Sequence, residues 1–146
     1  MIKFAANILQ KLKNMNENFK QAREGIVHLG RIMCDLAHDE LSKNTVVSAS
    51  DHAAFSEEMI RARLMNAWFQ EENTKSQLIA LGSKMNEKEL LDWLSRYEMN
   101  SSTNKTVAII MAGNIPLVGF HDLLCALLCS YRVKVKLSSD DSILLP

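Results

Sequence analysis

The sequence predicts an α/β protein in which a helical region over residues 1–104 leads into a strand-helix-strand unit over residues 105–146. Three observations predict it. Apolar residues recur at helical spacing through the first hundred positions, the β-branched runs Thr106 to Met111 and Val133 to Val135 are confined to the last third, and the polar stretch Asn100 to Asn104 separates the two.

The elements follow in order. Phe4, Ile8, Leu12, Met15, Phe19, Ala22, Ile26, Leu29, Met33 and Leu36 mostly alternate steps of three and four, the stripe of an amphipathic helix. Gly25 and Gly30 each weaken a helix interior by about 1 kcal/mol relative to Ala, which predicts a break near Gly25 or two stacked helices. A packed globular helix fits better than a coiled coil, because flanking charges do not alternate cleanly. Asp39 to Ser48 reads as a connector, and Ser50 or Asp51 as the cap of a helix carrying Phe55, Met59, Ala62, Leu64, Met65 and Trp68. Lys75 to Met85 reads as a shorter helix that buries Leu78, Ile79 and Leu81. Asn86 with Glu89 three residues later forms a capping pair for a helix with Leu90, Leu91, Trp93, Leu94 and Tyr97.

Val107 to Met111 is apolar at consecutive positions, as in a parallel strand covered on both faces. Pro116 suits the first turn of the helix that follows, Leu117 to Leu128, and Val133 to Leu137 returns as a strand of alternating Val and Lys. A unit of this length makes parallel strands, whose carboxyl ends share one edge. Asn114 in the turn after the first strand and Lys136 at the end of the second therefore face the same crevice.

Composition excludes several classes. The 146 residues suffice for one domain, burying about two-thirds of the unfolded surface. Seventeen basic and seventeen acidic residues cancel and no basic stripe interleaves with aromatics, which argues against nucleic-acid binding. No apolar run reaches membrane-span length. Cys34, Cys125 and Cys129 are an odd, unevenly spaced set with no secretory leader ahead of them, so a reducing cytoplasm is expected.

The run Val107-Ala108-Ile109-Ile110-Met111-Ala112-Gly113-Asn114-Ile115-Pro116-Leu117-Val118-Gly119-Phe120-His121-Asp122, followed by Val135-Lys136-Leu137-Ser138-Ser139 and Leu144-Leu145-Pro146, resembles the N-terminal part of the acyl-CoA reductases related to the fatty acyl-CoA reductase of bacterial luminescence. These belong to the aldehyde dehydrogenase superfamily. Weaker support comes from Asn66-Ala67-Trp68-Phe69 and from Leu91 to Tyr97, while residues 1 to about 22 add nothing distinctive.

The resemblance implies an incomplete aldehyde-dehydrogenase-like fold, with residues 105–146 opening a Rossmann-like sheet that binds a nicotinamide dinucleotide. It implies conversion of fatty acyl-CoA to fatty aldehyde through a cysteine thioester. Asn114 matches the residue whose side-chain amide donates to the oxyanion, although Asn is also common in turns for conformational reasons. Lys136 matches a contact to the adenosine ribose, with a solvated strand-end lysine as the plainer alternative. Relatives that prefer NAD carry Glu three residues after this Lys. Ser139 stands there instead and removes the repulsion of a 2′-phosphate, so NADPH is expected, with Asp140 and Asp141 nearby working against it.

The family's nucleophile lies far downstream of the matching segment, so none of the three cysteines inherits its role. Cys34 reads as a small core residue. His121, Cys125 and Cys129 share a helix face, but a rise of 1.5 Å per residue sets the outer two about 12 Å apart, too far for one metal. Core packing against the sheet is the better reading. Asp140-Asp141-Ser142 resembles the cap of a further helix. The chain is thus expected to be the N-terminal portion of a larger enzyme or a truncated product, inactive alone, with homo-oligomer or acyl-transfer partners in the complete enzyme. The competing expectation is a non-enzymatic helical interaction module.

Overall fold

The computed structural model describes residues 17–97 and 105–144. The first four stripe residues, the Asn100 to Asn104 break and the last two residues lie outside that set. The described residues form helices α1 (Glu17–Ala37), α2 (Ala49–Met65), α3 (Glu71–Gly82) and α4 (Glu87–Leu94), then strand β1 (Thr106–Ile110), helix α5 (Phe120–Leu128) and strand β2 (Arg132–Lys136). The arrangement is mainly helical with a two-stranded parallel sheet, an α/β arrangement.

α1 buries Phe19, Ile26 and Met33 of the predicted stripe, and at its end Ala37 takes the buried place beside the half-buried Leu36. It does not break at Gly25. That residue is exposed with nothing near its missing side chain, so the helix bears only the backbone cost. Gly30 has a different use. A Cβ there would lie 2.7 Å from Met85 Cβ and 2.9 Å from the Gly82 carbonyl, and one on Gly82 would lie 2.7 Å from the Gly30 carbonyl. The two glycines bring α1 and α3 to backbone contact, and Leu78, Met85, Leu90 and Leu94 close the core around them.

The connector after α1 is tied down by Asp35, whose Oδ2 accepts from Thr45 Oγ1 and from the Val46 N–H, both at 2.7 Å. α2 is capped at Ser48, ahead of the expected Ser50 or Asp51: Ser48 Oγ accepts from the Asp51 N–H at 3.1 Å and donates to the Asp51 carboxylate. The helix ends at Met65, so Trp68 lies outside it and is 77 % exposed, while Phe69 takes the buried place. α3 starts at Glu71, four residues earlier than expected, and Ile79 is exposed where burial was expected. The Asn86 cap forms as read, with Asn86 Oδ1 accepting from the Glu89 N–H at 3.0 Å, but Tyr97 falls past the end of α4.

β1 and β2 pair from Thr106 opposite Arg132 to Ile110 opposite Lys136. Val107, Ile109, Met111, Val133 and Leu137 pack with Leu123, Ala126 and Tyr131 around α5. The expectation of a strand covered on both faces fails among the described residues. Thr106, Ala108 and Ile110 alternate to the other face with Arg132, Lys134 and Lys136, and all six are exposed because, among the described elements, α5 alone lies against this sheet.

α5 begins at Phe120, not at Pro116. Leu117 adopts φ 57°, a left-handed conformation that a right-handed helix cannot contain, so residues 115–118 form a separate turn. The far end of α5 closes on Ser130, also at φ 57°, with Ser130 N–H donating to Leu127 O and Tyr131 N–H to Ala126 O. This is a Schellman closure with Ser where Gly is usual. The far side of α5 carries Phe120, Leu124 and Leu128 into the same cluster as Phe19, Ile26 and Met33, so one core joins the helices to the strand-helix-strand unit.

Candidate functional site

Parallel pairing puts the carboxyl ends of β1 and β2 side by side, and the ladder runs one residue further, with the Met111 N–H donating to Lys136 O at 3.0 Å. The two following turns then lie against each other at Gly113. A Cβ on Gly113 would sit 2.6 Å from Ser138 Oγ and 2.8 Å from Asp140 Cβ, so only glycine permits the approach. Its role here is the absence of a side chain, since its φ is not positive.

Asn66, immediately past α2, joins the turns. Its Nδ2 donates to Gly113 O at 2.9 Å and to Asp140 O at 3.2 Å, and its Oδ1 accepts from the Trp68 N–H at 3.0 Å. Both amide hydrogens and the carbonyl are engaged, which fixes the side-chain plane. Its own N–H donates to Ala62 O at 2.8 Å, closing α2.

Asp141 is the second tie. It is 4 % exposed, and its Oδ2 accepts from the Leu117 N–H at 3.2 Å, holding the 115–118 turn in its left-handed conformation. Its Oδ1 is buried without a hydrogen-bond partner among the described residues. Burial pushes the Asp141 carboxyl above the usual carboxylate range, with the backbone N–H groups of Leu117 and Leu144 working in the opposite direction. The expectation that Asp140-Asp141-Ser142 caps a further helix is corrected among the described residues: residues 141–144 are bends, and Asp141 turns back to cap the earlier turn.

Asn114, Lys136 and Ser139 all lie exposed at this edge. Asn114 follows Gly113, whose carbonyl Asn66 holds, and Ser139 precedes Asp140, whose carbonyl the same amide holds. Lys136 Nζ donates to Leu137 O at 3.4 Å and makes no ion pair among the described residues. Beside the edge, Ala62, Met65, Phe69, Asp140, Asp141, Ser142 and Ile143 line a small open recess.

The cysteines sit elsewhere. Cys34 lies at the α1–α3 crossing, and burial, reinforced by the Asp35 carboxylate, raises its thiol pKa. Cys125 faces His121 at 3.7 Å on the flank of α5, where burial, then the charges of Asp122 and Cys129, raise its pKa too. Cys129 is at the end of α5 that leads into β2, away from the carboxyl-end edge. His121 is exposed in the first turn of α5, as a helix-start polar residue is, whereas the expected core packing of Cys125 and Cys129 is corrected: Cys129 is exposed and Cys125 is half-buried, because Phe120, Leu124, Ala126 and Leu128 take the buried positions. His121 stacks at a tilt on Trp93, ring centres 5.9 Å apart.

Asn114, Lys136 and Ser139 lie at the edge where the sequence places them, whereas Asn66 as a tie and Asp141 as a buried carboxylate are not among the residues it singles out. The signal for Asn66 was the Asn66-Ala67-Trp68-Phe69 segment, quoted only as part of a resemblance.

The fold and this edge define an α/β unit with polar groups collected at parallel strand ends. The sequence model of the acyl-CoA reductase (LuxC) family matches residues 20–146, and the chain belongs to that family. No curated protein and no solved structure matches it. No helix among the described residues is long and apolar enough to cross a membrane.

Proposed function

We propose that the chain supplies the first part of an NADPH-dependent reductase that converts fatty acyl-CoA to fatty aldehyde through a cysteine thioester, in an aldehyde-dehydrogenase-like fold whose Rossmann-like sheet starts at β1 and β2. In this reading residues 1–104 are an N-terminal region, helical in α1 to α4 among its described residues, and residues 105–146 open the cofactor-binding part. The observation that carries the reading is the joining of the Asn114 and Ser139 turns at one strand-end edge by a single side chain, Asn66.

In this reading the Asn114 amide donates to the oxyanion that develops at the acyl carbonyl. A fixed neutral donor serves because it needs no change of protonation as the charge appears. The residues present fit a phosphorylated ribose: Lys136 offers an ammonium free of carboxylate partners among the described residues, and Ser139 offers a hydroxyl where a carboxylate would repel a 2′-phosphate. Asp141 does not oppose that fit, since its carboxylate is buried and turned to Leu117. When bound, the nicotinamide would supply the hydride.

In this reading the nucleophile is none of the three cysteines: Cys34 lies at the α1–α3 crossing, Cys125 on the flank of α5 and Cys129 at the end of α5 that leads away from the edge. The 146-residue chain by itself is therefore expected to show no acyl-CoA-dependent NADPH oxidation. In the reductase that carries it, Ser139→Glu should cut the ratio of kcat/KM for NADPH over NADH at least tenfold, a loss of about 1.4 kcal/mol. An unchanged ratio would refute the cofactor placement.

A second reading, a helical interaction module, is favoured by one observation. Ile60, Leu64, Met65 and Trp68 expose an apolar stripe on and just past α2, with Leu64 and Trp68 each more than three-quarters exposed. It predicts a stable dimer at low micromolar concentration by sedimentation.

A further inference from the structure

We propose that Asn66 is the positioning residue of the strand-end edge: its carboxamide fixes the Asn114 turn and the Ser139 turn relative to each other, so that the oxyanion donor and the cofactor contact act as one unit. The inference rests on the proposed roles of Asn114 and Ser139.

The geometry is specific. One nitrogen donates to two carbonyls that lie 47 and 74 residues further along the chain, and the oxygen of the same group is anchored to the Trp68 N–H. Gly113 and Asp140, which supply those carbonyls, are the immediate neighbours of Asn114 and Ser139. The turns touch across Gly113 with no spare room, so a shift of either is felt by the other. Asn66 itself sits at the end of a helix rather than in a loop, closed by its N–H to Ala62 O. A group held by a helix end and a backbone bond loses little freedom when it holds something else, as a positioning residue requires.

Aspartate at this position is nearly isosteric but carries no hydrogen for either carbonyl, and places charge against both. Asn66→Gln keeps the carboxamide one methylene further out and is the milder variant. Neither touches the acyl or cofactor group in the proposed site, so any catalytic effect must pass through the turns.

The test combines hydrogen exchange on the 146-residue chain with kinetics on the reductase that carries it. In Asn66→Asp, amide exchange should rise at least tenfold in both 111–117 and 138–141, while amides of α1 and α3 near Gly30 and Gly82 keep their protection. That protection also reports that the variant is folded. Acyl-CoA-dependent NADPH oxidation should lose at least tenfold in kcat, with a smaller loss in Asn66→Gln. At saturating NADPH the Asn66→Asp/Asn114→Ala double variant should be no slower in kcat than Asn114→Ala alone, because the oxyanion donor that Asn66 positions is already gone, and the effect through the Ser139 turn is read separately as a raised KM for NADPH.

A merely structural role for Asn66 would give additive losses, and additivity overturns the proposal. Exchange that rises in only one turn, or in neither, overturns it as well. If Asn114→Ala leaves kcat unchanged, the reading of Asn114 fails. If Asn114→Ala is slow and Asn66→Asp is not, the positioning role alone fails.

Discussion

At the α1–α3 crossing, Gly30 and Gly82 face each other and Met33, Leu78 and Met85 close over them. At the strand ends, the turns after β1 and β2 meet at Gly113, but what holds them is a carboxamide, Asn66, and a buried carboxylate, Asp141. Both places use glycine for close approach. They differ in what surrounds it. The crossing is apolar and needs only complementary shape, whereas the edge keeps Asp141 Oδ1 buried without a partner among the described residues and holds Leu117 at positive φ. Burial without a partner and left-handed backbone both cost stability, and such costs concentrate where geometry serves something other than folding.

Substitutions at the two places should have effects of different size and pH dependence. The largest effect belongs to the crossing: Leu78→Ala, at a position 3 % exposed, should lower stability by about 3 kcal/mol in urea unfolding. A loss of only a few tenths would mean that the helical core is not what holds the chain together.

The next effect belongs to the edge and depends on pH. Because burial raises the Asp141 carboxyl above its unfolded value near 3.8, the native state holds that proton over a range in which the unfolded state has lost it. Stability from this group is full below about 3.8 and declines as pH rises towards the raised native value, then levels off. Asp141→Asn should flatten that decline when urea unfolding is repeated across acid to neutral pH. A profile steeper in the variant than in the wild type would reverse the assigned sign.

The smallest effect is Ser130→Gly. Removing the side chain from a residue at φ 57° should stabilise the chain by roughly 1 kcal/mol, visible as a rise in Tm. No rise would mean that the Schellman closure of α5 carries no strain.

What the residues disclosed before any coordinates follows the range of the interactions. The α1 stripe, the Asn86 cap and the parallel strand pairing are carried by spacing within a few residues or by one strand-helix-strand unit, and all are present. Gly25 and Gly30 misled because propensity counts backbone cost alone, while Gly30 gains the approach of α3. The start of α5 was misplaced because Leu117 is held at positive φ by Asp141, twenty-four residues away, which no local pattern records. Likewise Ile110, 78 % exposed, belongs to an apolar run that predicts cover on both faces, yet pairing sets it opposite Lys136 on the side that α5 does not reach. At the candidate site, a motif resemblance singles out Asn114 and Lys136, whereas the hydrogen bonds of Asn66 and Asp141 join residues far apart in the chain and became visible only with the fold.

The most direct test of the account is steady-state acyl-CoA reduction by the reductase that carries this chain, comparing wild type with Asn114→Ala. The account predicts that kcat falls about a hundredfold, near 3 kcal/mol of barrier, while KM for acyl-CoA barely moves, since the donor is needed at the oxyanion and not in the ground state. A kcat within about threefold of wild type, or a loss confined to KM, would contradict it.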